Sequence, residues 1–143
     1  MKKDFQILLF YCYAEILDTE KFKTEHHLFC IKNNIKGRII ISSEGINGTV
    51  SGLKKDCDNY RKELISKKIF SDIDFKVESY HKNAFKKINV RIKNEIVNSG
   101  LIDKKILKNK GQYINPLDFK KIIKKVPENV TILDVRSNYE HNI

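Results

Sequence analysis

No stretch of this 143-residue sequence approaches the roughly 18 apolar residues that a membrane-spanning helix requires. The N-terminus, MKKDFQILLFYCYAE, has a charged start and a short apolar run, but no small-residue cleavage site, and Glu15 follows closely. It reads as a strand, not a secretion signal. Cysteine is scarce. Cys12, Cys30 and Cys57 are odd in number and widely spaced, no CxxC occurs, and His26, His27, His81 and His141 form no zinc spacing with them. All three fall within apolar patterns, so buried thiols in a reducing cytoplasm are expected. No metal or organic cofactor is implied. Internal repeats and low-complexity tracts are missing too. Hydrophobic residues make up 41% of the chain, which argues against wholesale disorder.

Charge is present in excess and unevenly placed. Lys and Arg number 28 against 18 Asp and Glu, a net +10. Residues 1–81 hold 14 basic and 12 acidic side chains, residues 82–125 hold 13 and 3, and residues 126–143 hold 1 and 3. The whole excess therefore lies in one segment. A localised cationic footprint suits a polyanionic partner, although a charge run also serves simply as a solvated face.

The hydrophobic pattern gives an order of elements. Gln6 to Tyr13 is a continuous apolar and aromatic run, expected to be a central strand buried on both faces. Asp18 or Thr19 caps a helix reaching about Asn34, with Glu20 near its positive end. Gly37 to Ser42, GRIIIS, is a second strand. Ser43 to Gly48 is a turn cluster, with Asn47-Gly48 expected at the tight hairpin turn, and Thr49-Val50-Ser51 resumes the strand. Leu53, Cys57, Tyr60 and Leu64 form one helical stripe. Phe75, Val77 and Tyr80 mark a fourth strand. This order, β-α-β-β-α-β, is the ferredoxin-like split pattern. Ile88, Val90 and Ile92 then alternate with Asn89, Arg91 and Lys93 in a fifth, half-exposed strand. Residues 98–114 carry Lys104, Lys105, Lys108 and Lys110 without periodicity. Asn115-Pro116 opens a short helix that Pro127 ends, and Val130 to Val135 reads as a new strand. The fold expected is α+β: a ferredoxin-like domain with an extra strand over residues 1–97, a basic linker and short helix over 98–126, and a further element over 127–143.

Three segments carry a family resemblance. They are Ser43-Glu44-Gly45-Ile46-Asn47-Gly48-Thr49-Val50-Ser51-Gly52; Lys87 to Val97 followed by Gly111-Gln112-Tyr113-Ile114-Asn115-Pro116; and Leu133-Asp134-Val135-Arg136-Ser137-Asn138-Tyr139-Glu140. In this order the sequence resembles the N-terminal part of the rhodanese-domain tRNA uridine hydroxylases. The resemblance implies use of molecular oxygen to make 5-hydroxyuridine at the tRNA wobble position. It implies tRNA as partner, a cytoplasmic location, and residues 127–143 as the start of an α/β rhodanese domain. In that family a cysteine-bearing loop lies well downstream of the Asp-Val-Arg strand. The present sequence stops before it, so no catalytic residue is assigned and the chain is expected to be a fragment, inactive alone. A free-standing RNA-binding module and a sulfurtransferase fragment are the alternatives.

The candidate substrate-binding residues are Glu44, Gly45, Asn47, Gly48, Arg91 and Lys93. The Glu44–Gly48 segment is either a plain hairpin turn or a loop whose glycines let backbone approach a phosphate or base. Arg91 and Lys93, with Lys86 and Lys87, form either a phosphate-tracking stripe or a charged, aggregation-resistant strand. Phe5, Phe10 and Tyr11 are expected in the core. Asp134 and Arg136 are expected to form a structural ion pair.

Overall fold

A computed structural model describes residues 4–98, 100 and 111–142. The chain divides into two units, Met1–Ile102 and Asp103–Ile143. The first contains β1 (Phe5–Tyr13), α1 (Thr19–Lys32), β2 (Lys36–Ser42), β3 (Gly45–Leu53), α2 (Lys54–Ser66), β4 (Asp74–Tyr80) and β5 (Ile88–Ile92). The sheet order is β4-β1-β3-β2-β5. All neighbours are antiparallel except β5, which runs parallel to β2. This is the ferredoxin-like arrangement expected from the sequence, with β5 added outside β2.

Local chemistry explains the helix boundaries. Asp18 caps α1 by accepting from the Lys21 N–H at 2.9 Å. Asn34, at φ 52°, turns the chain out of the helix in the left-handed region that Asn tolerates. In α2 the stripe Cys57, Tyr60 and Leu64 is buried as its spacing demands. Leu53 is not part of it: it closes β3 and is 46% exposed.

Both helices pack on one face of the sheet. Cys30 of α1 and Cys57, Tyr60 and Leu64 of α2 join Leu8, Phe10, Ile39, Ile41, Ile46, Val50 and Val90 in one core. Tyr60 is its hub. Its hydroxyl lies 2.9 Å from His26 Nε2, and its ring meets Phe10, His26 and Phe29. Phe22 stacks on the His26 ring at 5.3 Å.

The expectation that β1 is buried on both faces is corrected here. Its burial alternates: Gln6, Leu8 and Phe10 are buried, while Leu9 and Tyr11 are 46% and 62% exposed. The strand has neighbours on both edges, but helices cover only one of its faces. Tyr11 is therefore not a core residue, whereas Phe10 is.

In the second unit α3 (Pro116–Lys124) starts as expected, with Asn115 accepting from the Asp118 N–H and Pro116 at the first turn. A short α4 (Asn138–His141) opens on a Ser137–Glu140 capping box. Asp134 and Arg136 pair at 2.6 Å, and the guanidinium holds the Asp134 carboxyl down to about 2. Val130 to Val135 is not a strand, because no described segment supplies the ladder partner that a strand needs. Lys104, Lys105, Lys108 and Lys110 lie outside the described residues.

Burial lowers the His26 pKa from 6.5 to about 4, with the Lys67 charge adding to the effect. The unfolded chain then binds this proton more readily than the folded one. Stability from the neutral imidazole is complete above about pH 6.5 and is lost as pH falls towards 4, a change of about 3 kcal/mol. Urea unfolding of wild type and His26→Gln between pH 7 and 4 should show their stability difference shrinking with acid. A pH-independent difference would contradict the burial of a neutral His26.

Candidate nucleic-acid interface

The face of the sheet opposite the helices is built in rows set by strand register. One row runs Asp74, Tyr11, Asn47, Ile40, Arg91 across β4, β1, β3, β2 and β5. The next runs Lys76, Leu9, Thr49, Arg38, Asn89. Side chains alternate along each strand, so both rows stand on the same, helix-free side. Arg38 and Arg91 are exposed, as is Lys93 just beyond β5. Arg91 Nε donates to Asn89 Oδ1 at 3.2 Å, which directs its guanidinium along the strand. Arg38, Ile39, Ile40, Asn89, Arg91 and Lys93 line a depression of about 400 Å3.

Two chain segments frame this face. At one end Ser51 Oγ accepts from the Ala84 N–H at 3.2 Å, so the β4–β5 connection crosses there. At the other end lies the segment after β5. Ser42 Oγ donates to the Asn94 carbonyl at 3.2 Å. Glu44 accepts from the Ile96 N–H at 2.8 Å, and Asn47 Nδ2 donates to the Ile96 carbonyl at 2.7 Å. Ile96 is 2% exposed and stands apart from the helix-side core.

The structure therefore gives the Glu44–Gly48 segment a different form from the one expected. The hairpin turn is Ser43-Glu44, since Ser42 pairs with Gly45, and Asn47 and Gly48 lie inside β3. Asn47 shows no positive φ; Gly45 does, at 149°. A Cβ on Gly45 would sit 2.0 Å from the Cys12 carbonyl oxygen, so that position admits only glycine. A Cβ on Gly48 would meet the Phe10 ring at 2.7 Å, so the missing side chain makes room for core packing. Glu44 and Asn47 are committed to the backbone N–H and carbonyl of one residue of their own chain, Ile96. Sequence reasoning missed this latch because its partner lies 49 to 52 residues away.

Of the six candidate residues, Arg91 and Lys93 share the depression. Glu44, Gly45, Asn47 and Gly48 build the ground beside it. Sequence reasoning also missed Arg38, which sits in the near-neutral half of the chain. The signal available was its polar place within the otherwise apolar GRIIIS strand.

Other chemistry is sparse. Among the described residues no group of three or more His, Cys, Asp or Glu could hold a metal. Burial pushes the Cys30 thiol up to about 12 and the Cys57 thiol to about 11, which keeps both in the unreactive protonated form. Cys12 is half-buried and its Sγ–H lies 3.7 Å from the Tyr13 carbonyl. The N-terminus of α1 is closed by its own Asp18, and no described helix is long and apolar enough to cross a membrane.

A sheet backed on one face by two helices in β-α-β-β-α-β order is a ferredoxin-like domain, here of acylphosphatase type. Residues 5–96 match the UPF0176 acylphosphatase like domain, and the chain belongs to that family. Over 141 residues it is 45% identical to a Cytophaga hutchinsonii protein named tRNA uridine(34) hydroxylase, covering 99% of this chain and 45% of that protein. Proteins of the same name from Staphylococcus haemolyticus and Acholeplasma laidlawii are 43% and 40% identical, covering 98% and 100% of this chain. The chain thus spans 43–45% of the length of these relatives. The resemblance read from the motifs is borne out. Among solved structures, BlrB, a BLUF protein in its dark state, aligns with TM-score 0.53 at 15% identity, over 64% of this chain and 74% of that one. BlrP1 BLUF aligns with TM-score 0.53 at 11% identity, over 64% and 66%. These two share the fold.

Removing the Glu44 carboxylate leaves the Ile96 N–H without its acceptor in a buried position. Glu44→Ala should lower stability by about 1–3 kcal/mol and speed hydrogen exchange at the Ile96 amide more than at the core amides of β3. Unchanged exchange at Ile96 would show that the latch is not formed in solution.

Proposed function

We propose that this chain is the tRNA-holding part of a tRNA uridine 5-hydroxylase, which converts the wobble uridine to 5-hydroxyuridine with molecular oxygen. The observation that carries the reading is the placement of Arg38, Arg91 and Lys93 around one depression on the open sheet face, in a chain 45% identical to a tRNA uridine(34) hydroxylase. Phosphates of the tRNA backbone contact these cations. Glu44, Gly45, Asn47 and Gly48 shape the adjoining surface by fixing the segment after β5.

The reactive cysteine is supplied by a rhodanese domain of which residues 127–143 are the start. Two features support this assignment. Cys30 and Cys57 are buried with raised pKa values, and the relatives are more than twice as long as this chain. The 143 residues alone therefore hold tRNA without modifying it.

Titration of labelled tRNA at several salt concentrations tests the holding role. Each phosphate contact contributes about one unit or slightly less to the slope of log affinity against log salt. Arg91→Ala with Lys93→Ala should weaken binding and flatten that slope by about one to two units. Lys54 and Lys55 start α2, on the helix side, and their double replacement should do little. Equal behaviour of the two double variants would reduce the charge to compositional bias. Nucleoside mass spectrometry after incubation of tRNA with the chain alone should show no 5-hydroxyuridine above background; its appearance would refute the assignment of the thiol.

A further inference from the structure

Three cations of the open face, Arg38, Arg91 and Lys93, gather on the β2 and β5 side. The β1 and β4 side is aromatic, and its β4 edge alternates Asp74, Lys76 and Glu78, two acids about one lysine. Tyr11 is 62% exposed, and its ring meets that of Tyr13 edge-on at 6.4 Å. Leu9 lies beside it, 46% exposed, and Asp74 faces Tyr11 across the β1–β4 pairing. The Glu44 and Glu95 carboxylates act on Tyr13 from the turn end. An apolar ring 62% exposed in the middle of a sheet, with a strand on each side, contributes little to the core. Phosphate is drawn to the Arg38, Arg91 and Lys93 side, while on this half Lys76 is offset by Asp74 and Glu78.

We propose that Tyr11 is a base-stacking residue: an unpaired RNA base lies on its ring, while the adjoining phosphates run towards Arg38 and Arg91. Strand spacing of about 4.8 Å sets Tyr11 and Arg91, three strands apart, roughly 14 Å from each other at the backbone. A few nucleotides of extended single strand bridge that distance. Duplex RNA does not fit the same arrangement, because its bases are stacked on one another and its readable surface is backbone. The face thus selects an unpaired loop over a stem. Selection follows from the exposed π-face, which is indifferent to base identity. The two framing segments, at Ala84 and at Ile96, bound the trough at either end and keep the strand crossing the sheet from β1 to β5. This inference rests on the RNA reading above and adds to it the RNA form and the residue that recognises it.

The test uses the full 143-residue chain, a labelled RNA hairpin with an unpaired loop, and a duplex of equal length. Tyr11→Ala should bind the hairpin about tenfold more weakly and the duplex unchanged. Its salt slope should equal that of wild type, because stacking releases no counterions. The exposed position predicts an unaltered melting temperature for this variant. The chain has no tryptophan, so Tyr11→Trp installs a single reporter. It should retain hairpin affinity, and its emission should be quenched by the hairpin and not by the duplex. A Tyr11→Ala chain that binds the hairpin as wild type does, or a Trp reporter blind to bound hairpin, overturns the inference while leaving the RNA reading intact. A wild type that binds no RNA overturns both. If Tyr11→Ala converts a dimer to a monomer in sedimentation with RNA affinity unaltered, the face is a contact between copies and the stacking assignment falls.

Discussion

Tyr60 is fully buried, and its hydroxyl needs a hydrogen-bond partner there, because an unsatisfied polar group in an apolar interior costs about 1–3 kcal/mol. His26 provides that partner across the gap between the two helices. The β-α-β-β-α-β order puts α1 and α2 on the same face of the sheet, and this pair ties them together there, with Phe10 of β1 beneath the Tyr60 ring. Burial between the helices, with the Lys67 charge adding to it, holds His26 neutral. With both helices on one side, the opposite face of the sheet is left to water. The candidate interface is the face that this one-sided cover leaves open.

The open face is arranged by pairing rather than by local sequence. Arg38 and Arg91 become neighbours because β5 adds in parallel to β2, with Arg38 beside Asn89 and Ile40 beside Arg91. Neither cation contributes appreciably to folding, since exposed charges in water interact weakly. Their placement is available for binding. The side chains that do stabilise this region, Ser42, Glu44 and Asn47, all act on residues 94 to 96. They fix where the chain goes after β5, which makes the Glu44–Gly48 motif a structural latch next to the cations. A motif with polar side chains and glycines can be retained for such a purpose as readily as for touching a ligand.

Cys30 and Cys57 are not placed for thiol chemistry. A nucleophilic or redox cysteine needs an accessible, electropositive setting that favours the thiolate. Cys30 and Cys57 have the opposite surroundings, enclosed by the aromatic and aliphatic side chains of the core. Their role is to fill space between helix and sheet, as small apolar residues do. What the first unit offers is surface: one open face with cations at its β2 and β5 strands and an aromatic ring on β1.

Much of the fold was legible in the sequence because its signals are local. The strand run Gly37 to Ser42, the stripe Cys57, Tyr60, Leu64 without the Leu53 first counted in it, the cap read at Asp18 or Thr19 and formed by Asp18, and the Asn115-Pro116 start each depend on residues a few positions apart. The ferredoxin-like order and the fifth strand formed as read. Other features were decided only by tertiary structure. The run from Gln6 to Tyr13 is apolar on both faces, so composition could not say that helices would cover one of them and leave Tyr11 in water. The turn moved from Asn47-Gly48 to Ser43-Glu44 because pairing of β3 with both β1 and β2 set its register, and Gly45 alone could take the φ required. Arg38 joined Arg91 through a ladder between strands some 50 residues apart. Val130 to Val135 has strand composition without a strand, since a strand is a property of a pair. Periodicity along a chain specifies which side chains share a face of their own element; which neighbours that face meets is set by pairing and packing at long range.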